Sequence, residues 1–196
     1  MELRPYRSED QAALIEICRL TGDAGKDATG RYRDPGLLAE YFATPYAVYA
    51  PELCRVLEDE AGACGYVIGV ADTRGFVDWF NREWLPGLQA AIANVRVPDD
   101  APDAWLYAMI RRPMEVPAWV DEYPAHVHID LLPRAQGQGW GRRMMHAWIN
   151  LARQRGATGV HLGVSPNNTG AIAFYTRLGM KRLPAPDGAV AFGIAL

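Results

Sequence analysis

The chain has 196 residues, of which 49% are hydrophobic and 22% charged, and its formal net charge is −3. This length and composition predict a single domain, residues 1–196, with enough apolar residues for a hydrophobic core. The sequence has no apolar run of about 18 residues and no lysine- or arginine-rich tract, which excludes a membrane helix and gives no sign of nucleic-acid binding.

Three cysteines, Cys18, Cys54 and Cys64, lie in apolar stretches without metal-site spacing or a C-x-x-C motif. Their odd number and surroundings indicate reduced, buried thiols and no metal. The first five residues do not resemble a secretory signal. We therefore expect a cytoplasmic protein whose partners include neither a membrane nor nucleic acid, while its oligomeric state is open.

The first half of the chain alternates strand and helix signals. In order, the patterns predict a strand at 2–6, a helix capped from Ser8 and running through Cys18, a loop at 21–34, a helix from Pro35 to about Thr44, and two hairpin strands at 53–58 and 63–71. A segment at about 75–125 follows that is rich in aromatic residues, namely Phe76, Trp79, Phe80, Trp84, Trp105, Tyr107, Trp119 and Tyr123. These side chains form either core and cleft wall or an acceptor pocket.

Residues 126–132 alternate as a strand does. The period of two places Val127, Ile129 and Leu131 on one face and puts His128, Asp130 and Leu132 on the other, so one face carries polar groups. Pro133 ends this strand because it has no N–H to donate.

A loop with three glycines follows directly, as Gln136-Gly137-Gln138-Gly139-Trp140-Gly141. Without Cβ atoms its N–H groups can converge on a ligand, and a helix predicted from Trp140 to about Arg155 points its positive end at the same place. This geometry favours a phosphate or pyrophosphate. Arg142 and Arg143 fall in the first helical turn, where they are either solvated or beside a bound anion.

Two common nucleotide motifs do not fit this loop. A dinucleotide-binding G-x-G-x-x-G read from Gly137 fails at Arg142, and a Walker loop needs a lysine, whereas the chain has only Lys26 and Lys181. Gln136, Gly139 and Gly141 instead spell Q-x-x-G-x-G on a strand-to-helix turn. This motif resembles the pyrophosphate-arm loop of GCN5-related N-acetyltransferases, the GNAT superfamily.

A second stretch, residues 159–180, is similar to the same family. A strand at 160–164 ends at Ser165-Pro166, Asn167 or Asn168 caps a helix at about 169–178, and the stretch from Asn168 resembles N-x-x-A-x-x-x-Y-x-x-x-G-F with Met180 in place of Phe. The resemblance implies that Asn168 lies along the coenzyme A arm and that the Tyr175 hydroxyl lies near the thioester sulfur. Tyr175 also fits an apolar helix face, so a core role is the alternative. A last strand at 189–194 follows a turn at 186–188.

The resemblance implies an α/β (α+β) GNAT fold, a mixed central sheet of about seven strands flanked by helices, with the segment at 75–125 as an insertion. It also implies acetyl-CoA as cofactor and direct transfer of the acetyl group to an amine that the sequence does not identify. The implied cofactor-binding residues include Leu131 and Leu132, and the N–H of one or the other would polarise the thioester carbonyl. The remaining ones are Gln136, Gly137, Gln138, Gly139, Trp140, Gly141, Arg142 and Asn168.

Asp130 is the candidate general base, because a carboxylate buried on the strand before the loop should have a raised pKa unless a cation pairs with it. A structural hydrogen bond or ion pair is the alternative for Asp130, and His128 is the alternative base. Tyr175 is the candidate acid that protonates the leaving thiolate.

A narrower resemblance covers most of the chain. Several stretches are similar to the acetyltransferase-like domain at the C-terminus of animal O-GlcNAc hydrolases, namely residues 3–6, 17–19, 56–60, 64–66 and 129–130. That domain is considered a pseudo-acetyltransferase with a decayed glycine loop, whereas Gln136 to Gly141 is intact here. The alternative to an enzyme is therefore a non-catalytic module that binds acetyl-CoA or another protein.

Overall fold

A mixed seven-stranded sheet forms the centre of the computed structural model, which describes residues 1–185 and 189–196. Its strands are β1 Glu2–Pro5, β2 Arg55–Asp59, β3 Gly62–Val70, β4 Ala125–Leu131, β5 Gly159–Val164, β6 Lys181–Leu183 and β7 Val190–Ala195, in the spatial order β1-β2-β3-β4-β5-β7-β6. The helices in the described part are α1 Gln11–Thr21, α2 Gly36–Phe42, α3 Thr44–Tyr49, α4 Thr73–Trp79, α5 Leu85–Ile92, α6 Ala104–Ile110, α7 Trp140–Gln154 and α8 Thr169–Arg177. The predicted mixed sheet with flanking helices is confirmed.

The parallel pair in the middle of the sheet, β4 and β5, is joined only at one end. Their register consists of Ala125 opposite Val160 and His126 opposite His161, whereas β4 pairs with β3, and β5 with β7, along most of their length. Each strand follows its better-paired neighbour, so β4 and β5 separate towards their carboxyl ends. A cleft opens between them.

Helices cover both faces of the sheet. On one face α7 packs against β3 and β4, and Gly69 makes this approach possible, because a Cβ there would lie 2.6 Å from the Trp148 ring. On the other face α1 and α3 pack against the same strands and meet the polar side chains of β4. The core is therefore continuous from the N-terminal helices through the sheet to α7.

The predicted helix from Pro35 is interrupted. It is two helices, α2 and α3, with a break at Ala43, whose φ is −132°. Pro45 lies in the first turn of α3, where its missing N–H costs no hydrogen bond, whereas inside a continuous helix it would remove one. The first helix also differs from its prediction, because a 3₁₀ turn at Ser8–Asp10 precedes α1 and the Asp10 carboxylate, not Ser8, accepts the N–H of Arg7 at 2.8 Å.

The aromatic-rich segment at 75–125 is mostly core. Phe76 and Phe80 are fully buried, and Tyr107 is nearly so, while Trp105 on α6 remains 44% exposed. Cys18, Cys54 and Cys64 are buried and free, as predicted. The predicted turn at 186–188 lies outside the described residues. In the part of the chain that the structure describes, no helix has both the length and the apolar character to cross a membrane.

Three histidines cluster where β4 and β5 still pair. The Tyr46 hydroxyl lies 3.0 Å from Nε2 of both His126 and His128, and Nδ1 of His126 lies 2.8 Å from the Thr73 hydroxyl. The rings of His126 and His161 have centroids 5.5 Å apart. Burial lowers the pKa of all three histidines, to about 4 for His128, so the cluster is neutral at pH 7.

Acid should destabilise the protein through this cluster. Histidines of the unfolded chain bind protons near pH 6.5, whereas folded His128 stays neutral down to about pH 4, so the free energy of unfolding falls as the pH falls between these values. The expected loss is up to about 1.4 kcal/mol per pH unit for each such histidine. We expect His128→Gln to flatten this dependence in urea unfolding measured from about pH 7 to about pH 5.

The matched control is His146→Gln, which makes the same substitution at a histidine that is exposed on α7 and lies outside the cluster. A His128→Gln variant with the wild-type slope would contradict the role of the cluster.

Candidate functional site

The cleft between β4 and β5 deepens into a cavity of about 1020 Å³. Four parts of the chain form its walls: the loop after α1, the end of β4, the glycine loop before α7, and α8 with the residues before it. A volume of this size is at the upper end for small-molecule sites. Asp130 and Tyr175 both line it, although 45 residues of sequence numbering separate them.

The glycine loop, most of whose residues line this cavity, has a row of N–H groups that are unbonded within the described chain. The N–H of Gln136 donates to Pro133 and that of Arg143 to Gly139, but within the described chain no acceptor meets the N–H groups of residues 137–142. Gly137 and Gly139 have φ values of 74° and 80°, a left-handed conformation that favours glycine. Together with the N-terminus of the 15-residue helix α7, this loop can bind an anion.

The remaining residues of the loop hold it in shape. Gln136 donates from Nε2 to the Leu131 carbonyl at 2.7 Å, and Gln138 donates to the Arg134 carbonyl at 2.8 Å. Gly141 permits close packing of α7 on α8, because a Cβ there would lie 3.2 Å from the Phe174 ring. Gln138 therefore stabilises the loop and does not line the cavity.

Positive charge surrounds the mouth of the cavity. Arg142 lines it, as do Lys26 and Arg177. Arg143 lies instead with its guanidinium carbon 4.9 Å from the centroid of the Trp140 ring, and Trp140 does not line the cavity. No sequence pattern indicated that Lys26 belongs to the site, because the loop after α1 reaches the cavity only through the tertiary fold.

Asn168 lines the cavity and also makes a hydrogen bond that caps a helix. It is the N-cap of α8, and its Oδ1 accepts the N–H of Ala171 at 3.0 Å. Its amide nitrogen would lie 3.1 Å from a Cβ on Gly25, so it also faces the loop after α1. The predicted cap is therefore Asn168 rather than Asn167.

Asp130 lies on the floor of the cavity and is bonded to Tyr66, its cross-strand neighbour on β3. The Tyr66 hydroxyl donates to the Asp130 carboxylate at 2.6 Å, and none of the ion pairs found in the described residues includes Asp130. Burial raises the pKa of Asp130, while hydrogen bonds from Tyr66 and Thr21 act in the opposite direction. Within the described residues Asp130 therefore has a structural hydrogen bond and no cation partner, and its role as a base stays a prediction.

Tyr175 projects from α8 to the same floor. Its ring packs against Phe192 with centroids 5.7 Å apart, and only 7% of the residue is exposed. Its hydroxyl takes part in none of the side-chain hydrogen bonds found in residues 1–185 and 189–196. Burial raises the pKa of Tyr175, and the charge of Asp130 adds to this effect, so the hydroxyl keeps its proton.

The two backbone N–H groups predicted to polarise a carbonyl point in opposite directions. Leu132 donates its N–H to the carbonyl of Cys64 on β3 at 2.8 Å, so of the two alternatives its N–H is the one that is not available. Because strand N–H groups alternate in direction, the N–H of Leu131 points away from β3, into the gap left by β5. Leu131 also lines the cavity.

His128, the alternative base, lies outside the cavity lining. Its Nε2 is 3.0 Å from the Tyr46 hydroxyl, and its low pKa makes it a weak base. The geometry therefore favours Asp130 over His128 for accepting a proton in the cavity.

Comparisons with known proteins identify a family and a similar solved structure. The family "Acetyltransferase (GNAT) family" matches residues 107–180, which include β4, the glycine loop and α8. The crystal structure of SsHAT is 43% identical in sequence, covers 99% of this chain and 97% of that one, and has a TM-score of 0.90.

Two further comparisons are more distant. Protein O-GlcNAcase of Rattus norvegicus is 23% identical over 95% of this chain, which spans only 20% of that protein. The structure of yncA from Salmonella typhimurium with its cofactor acetyl-CoA is 16% identical, covers 100% of this chain and 93% of that one, and shares the fold at a TM-score of 0.56. The extent of the SsHAT similarity and the family match over the glycine loop lead to one conclusion: the chain belongs to the GNAT acetyltransferase family.

Proposed function

We propose that the protein transfers the acetyl group of acetyl-CoA directly to an amine. The observation that carries this proposal is the row of unbonded N–H groups at residues 137–142, at the mouth of a cavity whose floor holds Asp130 and Tyr175. The row offers an anion site, and the floor offers one group that can take a proton and one that can give a proton.

The residues present fit coenzyme A. Its pyrophosphate needs several N–H donors that approach without Cβ atoms between them, which the loop at 137–142 supplies. Its phosphates favour cations, which Lys26, Arg142 and Arg177 supply around the mouth. Membership of the GNAT family and the acetyl-CoA in the yncA structure also support this cofactor.

When bound, acetyl-CoA would supply an acetyl thioester. Asp130 then accepts the proton that an alkylammonium acceptor, with a pKa of about 10.4, must lose before it attacks. The Leu131 N–H, which points into the gap, stabilises the negative charge on the carbonyl oxygen. The Tyr175 hydroxyl, which has no other hydrogen bond among the described residues, would give its proton to the sulfur as the C–S bond breaks. It would regain a proton from the nitrogen, which loses its second proton as the amide forms.

The competing function is a module that binds acetyl-CoA without transferring the acetyl group. The similarity to O-GlcNAcase is the reason to consider it. The two differ in what Asp130 and Tyr175 do. A screen of amine acceptors with detection of free coenzyme A distinguishes them, because a binding module releases none.

Gly139→Glu should abolish acetyl-CoA binding measured by calorimetry, because the change places a side chain and a negative charge at the pyrophosphate site. Gly156→Glu is the matched control. Gly156 also has a positive φ, 85°, but lies beyond the other end of α7, so its variant carries similar backbone strain without touching the loop. Wild-type affinity in the Gly139→Glu variant would contradict the assignment of the loop.

Asp130→Asn should lower kcat by about 10²-fold or more while acetyl-CoA affinity is retained, because the change removes the base and leaves the loop intact. It also removes a buried negative charge, so Tm should stay the same or rise. Thermal unfolding and steady-state kinetics on the same preparation check both. A variant that matches wild type in turnover across pH would show that Asp130 is structural.

The pH profile offers an independent check on the same base. Activity requires the charged carboxylate, so kcat/KM should rise with pH through the raised pKa of Asp130. Tyr66→Phe removes a hydrogen bond that stabilises the charged form, so this rise should move to higher pH. The control is Tyr41→Phe, a buried tyrosine without a bond to Asp130, which should leave the profile unchanged.

Tyr175→Phe separates acid catalysis from core packing. The ring and its contact with Phe192 remain, and only the hydroxyl is lost, so turnover should fall by about 10²-fold with little change in Tm. Equal activity together with a lower Tm would indicate that the hydroxyl serves the core instead.

A further inference from the structure

A tight turn in the loop after α1, residues 23–26, lies against the cavity. Its end residues exchange backbone hydrogen bonds, because Asp23 and Lys26 each donate an N–H to the carbonyl of the other at 3.0 Å. The two central residues, Ala24 and Gly25, have φ values of 52° and 86°. Reciprocal bonds around two residues of positive φ define a type I′ β-turn, which we term the cleft turn. Ala24, Gly25 and Lys26 all line the cavity.

The cleft turn reaches from one wall of the cleft to the other. Gly25 donates its N–H to the carbonyl of Thr21 at 2.9 Å, and Thr21 ends α1 and is a hydrogen-bond partner of Asp130 on the floor. On its other side Gly25 meets Asn168, the N-cap of α8, since a Cβ on Gly25 would lie 3.1 Å from the Asn168 amide nitrogen. The turn therefore extends from the floor of the cavity to the start of α8.

The backbone of Ala24 is unusual for an alanine. Among the described residues it is the one residue other than glycine with a positive φ. The first central position of a type I′ turn favours Asn, Asp or Gly, because most side chains crowd the backbone in the left-handed region. Ala24 is therefore strained, and strain of this kind collects at sites that bind ligands.

Core packing does not account for the methyl group of Ala24. The residue is half-buried, yet in the described part of the chain it belongs neither to the buried core nor to the partly buried apolar side chains that pack against the core. What it does border is the cavity. Glycine at this position would relieve the strain and leave no gap in the core. The methyl group is therefore placed for a ligand in the cavity and not for the protein interior.

The two side chains of the turn that line the cavity suit two parts of coenzyme A. The proposed anion site lies at residues 137–142 and the proposed reaction site at Asp130 and Tyr175, so the arm that joins pyrophosphate and sulfur follows the cavity between them. This arm is uncharged and made largely of methylene and amide groups, which the Ala24 methyl group can contact. The Lys26 ammonium instead suits a phosphate.

We propose that the cleft turn is a clamp for coenzyme A, in which Ala24 packs on the arm and Lys26 binds a phosphate. The assignment rests on the proposed cofactor and adds to its site a segment outside both the glycine loop and α8. The strained backbone is kept because it presents the Ala24 methyl group to the arm before the cofactor binds.

Ala24→Gly should change stability and binding in opposite directions. Glycine relieves the left-handed strain, so Tm should rise by about 2 to 4 °C. Loss of the methyl contact should weaken coenzyme A binding about three- to fivefold in calorimetry. A lower Tm would show that the methyl group serves the protein's own packing and would overturn the proposal, as would an unchanged affinity.

A truncated ligand locates each contact. The nucleotide 3′-phosphoadenosine 5′-diphosphate keeps the phosphates of coenzyme A and lacks the arm, so Ala24→Gly should bind it as the wild type does. Lys26→Met keeps a side chain of similar length without the charge, and it should weaken binding of both ligands about two- to fivefold. Equal losses for both ligands in Ala24→Gly would overturn the contact with the arm, and unchanged binding in Lys26→Met would overturn the contact with a phosphate.

Gly62→Ala is the matched control, because it adds in the β2–β3 turn the same methyl group that Ala24→Gly removes. Gly62 has a φ of 100°, and a Cβ there would have no neighbour within 4 Å. Its Tm should fall while coenzyme A affinity stays at the wild-type value. Absence of coenzyme A binding in the wild type would overturn the proposed cofactor together with the clamp, whereas equal binding by the wild type and Ala24→Gly would overturn the clamp alone.

Discussion

The site depends on the partial pairing of β4 with β5. Two strands of a parallel pair normally bond along their length, but here the ladder stops after His126 and His161. The antiparallel partners β3 and β7 hold the two strands on divergent courses, so the sheet itself opens the cleft. Because of this gap, the Leu131 N–H has no strand to bond, and α7 and α8 can direct their N-termini to one place. If β4 and β5 were hydrogen-bonded along their whole length, the sheet would remain but the cleft between the two strands would be lost.

The floor of the cavity holds a carboxylate, that of Asp130, which forms no ion pair within residues 1–185 and 189–196. Burial raises the pKa of Asp130 and so makes the charged form costly in the folded protein, and the hydrogen bond from Tyr66 offsets only part of that cost. If stability alone mattered, we would expect an apolar side chain at this position, or a cation paired with the carboxylate. Such costs are common at functional sites, where charge must remain reactive. The three neutral histidines nearby show the other outcome, in which buried polar groups have partners. His126 and His128 are bonded through Tyr46 and Thr73, and Nδ1 of His161 lies 2.7 Å from the Tyr123 carbonyl oxygen.

The aromatic side chains of the insertion lie in two kinds of surroundings that sequence alone could not separate. Phe76 and Phe80 are buried in the core. Phe76 packs against Tyr46, and Phe80 packs against Tyr41. Trp105, from the same insertion, is exposed and joins rings from α2 and the loop after α1. Composition predicts the same burial for all of these residues, because hydrophobicity does not say which face of a helix packs against the core and which faces solvent.

The sequence by itself determined the local elements of the site. Glycine spacing located the loop at 136–141, and period-two alternation identified the faces of β4. A cap at Asn167 or Asn168 and the start of α7 followed from short-range backbone chemistry, and the structure selects Asn168. The break at Ala43 and the direction of the Leu132 N–H were not predictable, since they depend on how neighbouring segments pair and pack. Only the tertiary structure brought Tyr66 to Asp130 across 64 residues and carried Lys26 to the mouth of the cavity. A pattern in sequence encodes what a segment does with its own backbone, whereas a pKa, a cavity and a free donor arise from groups that lie far apart along the chain.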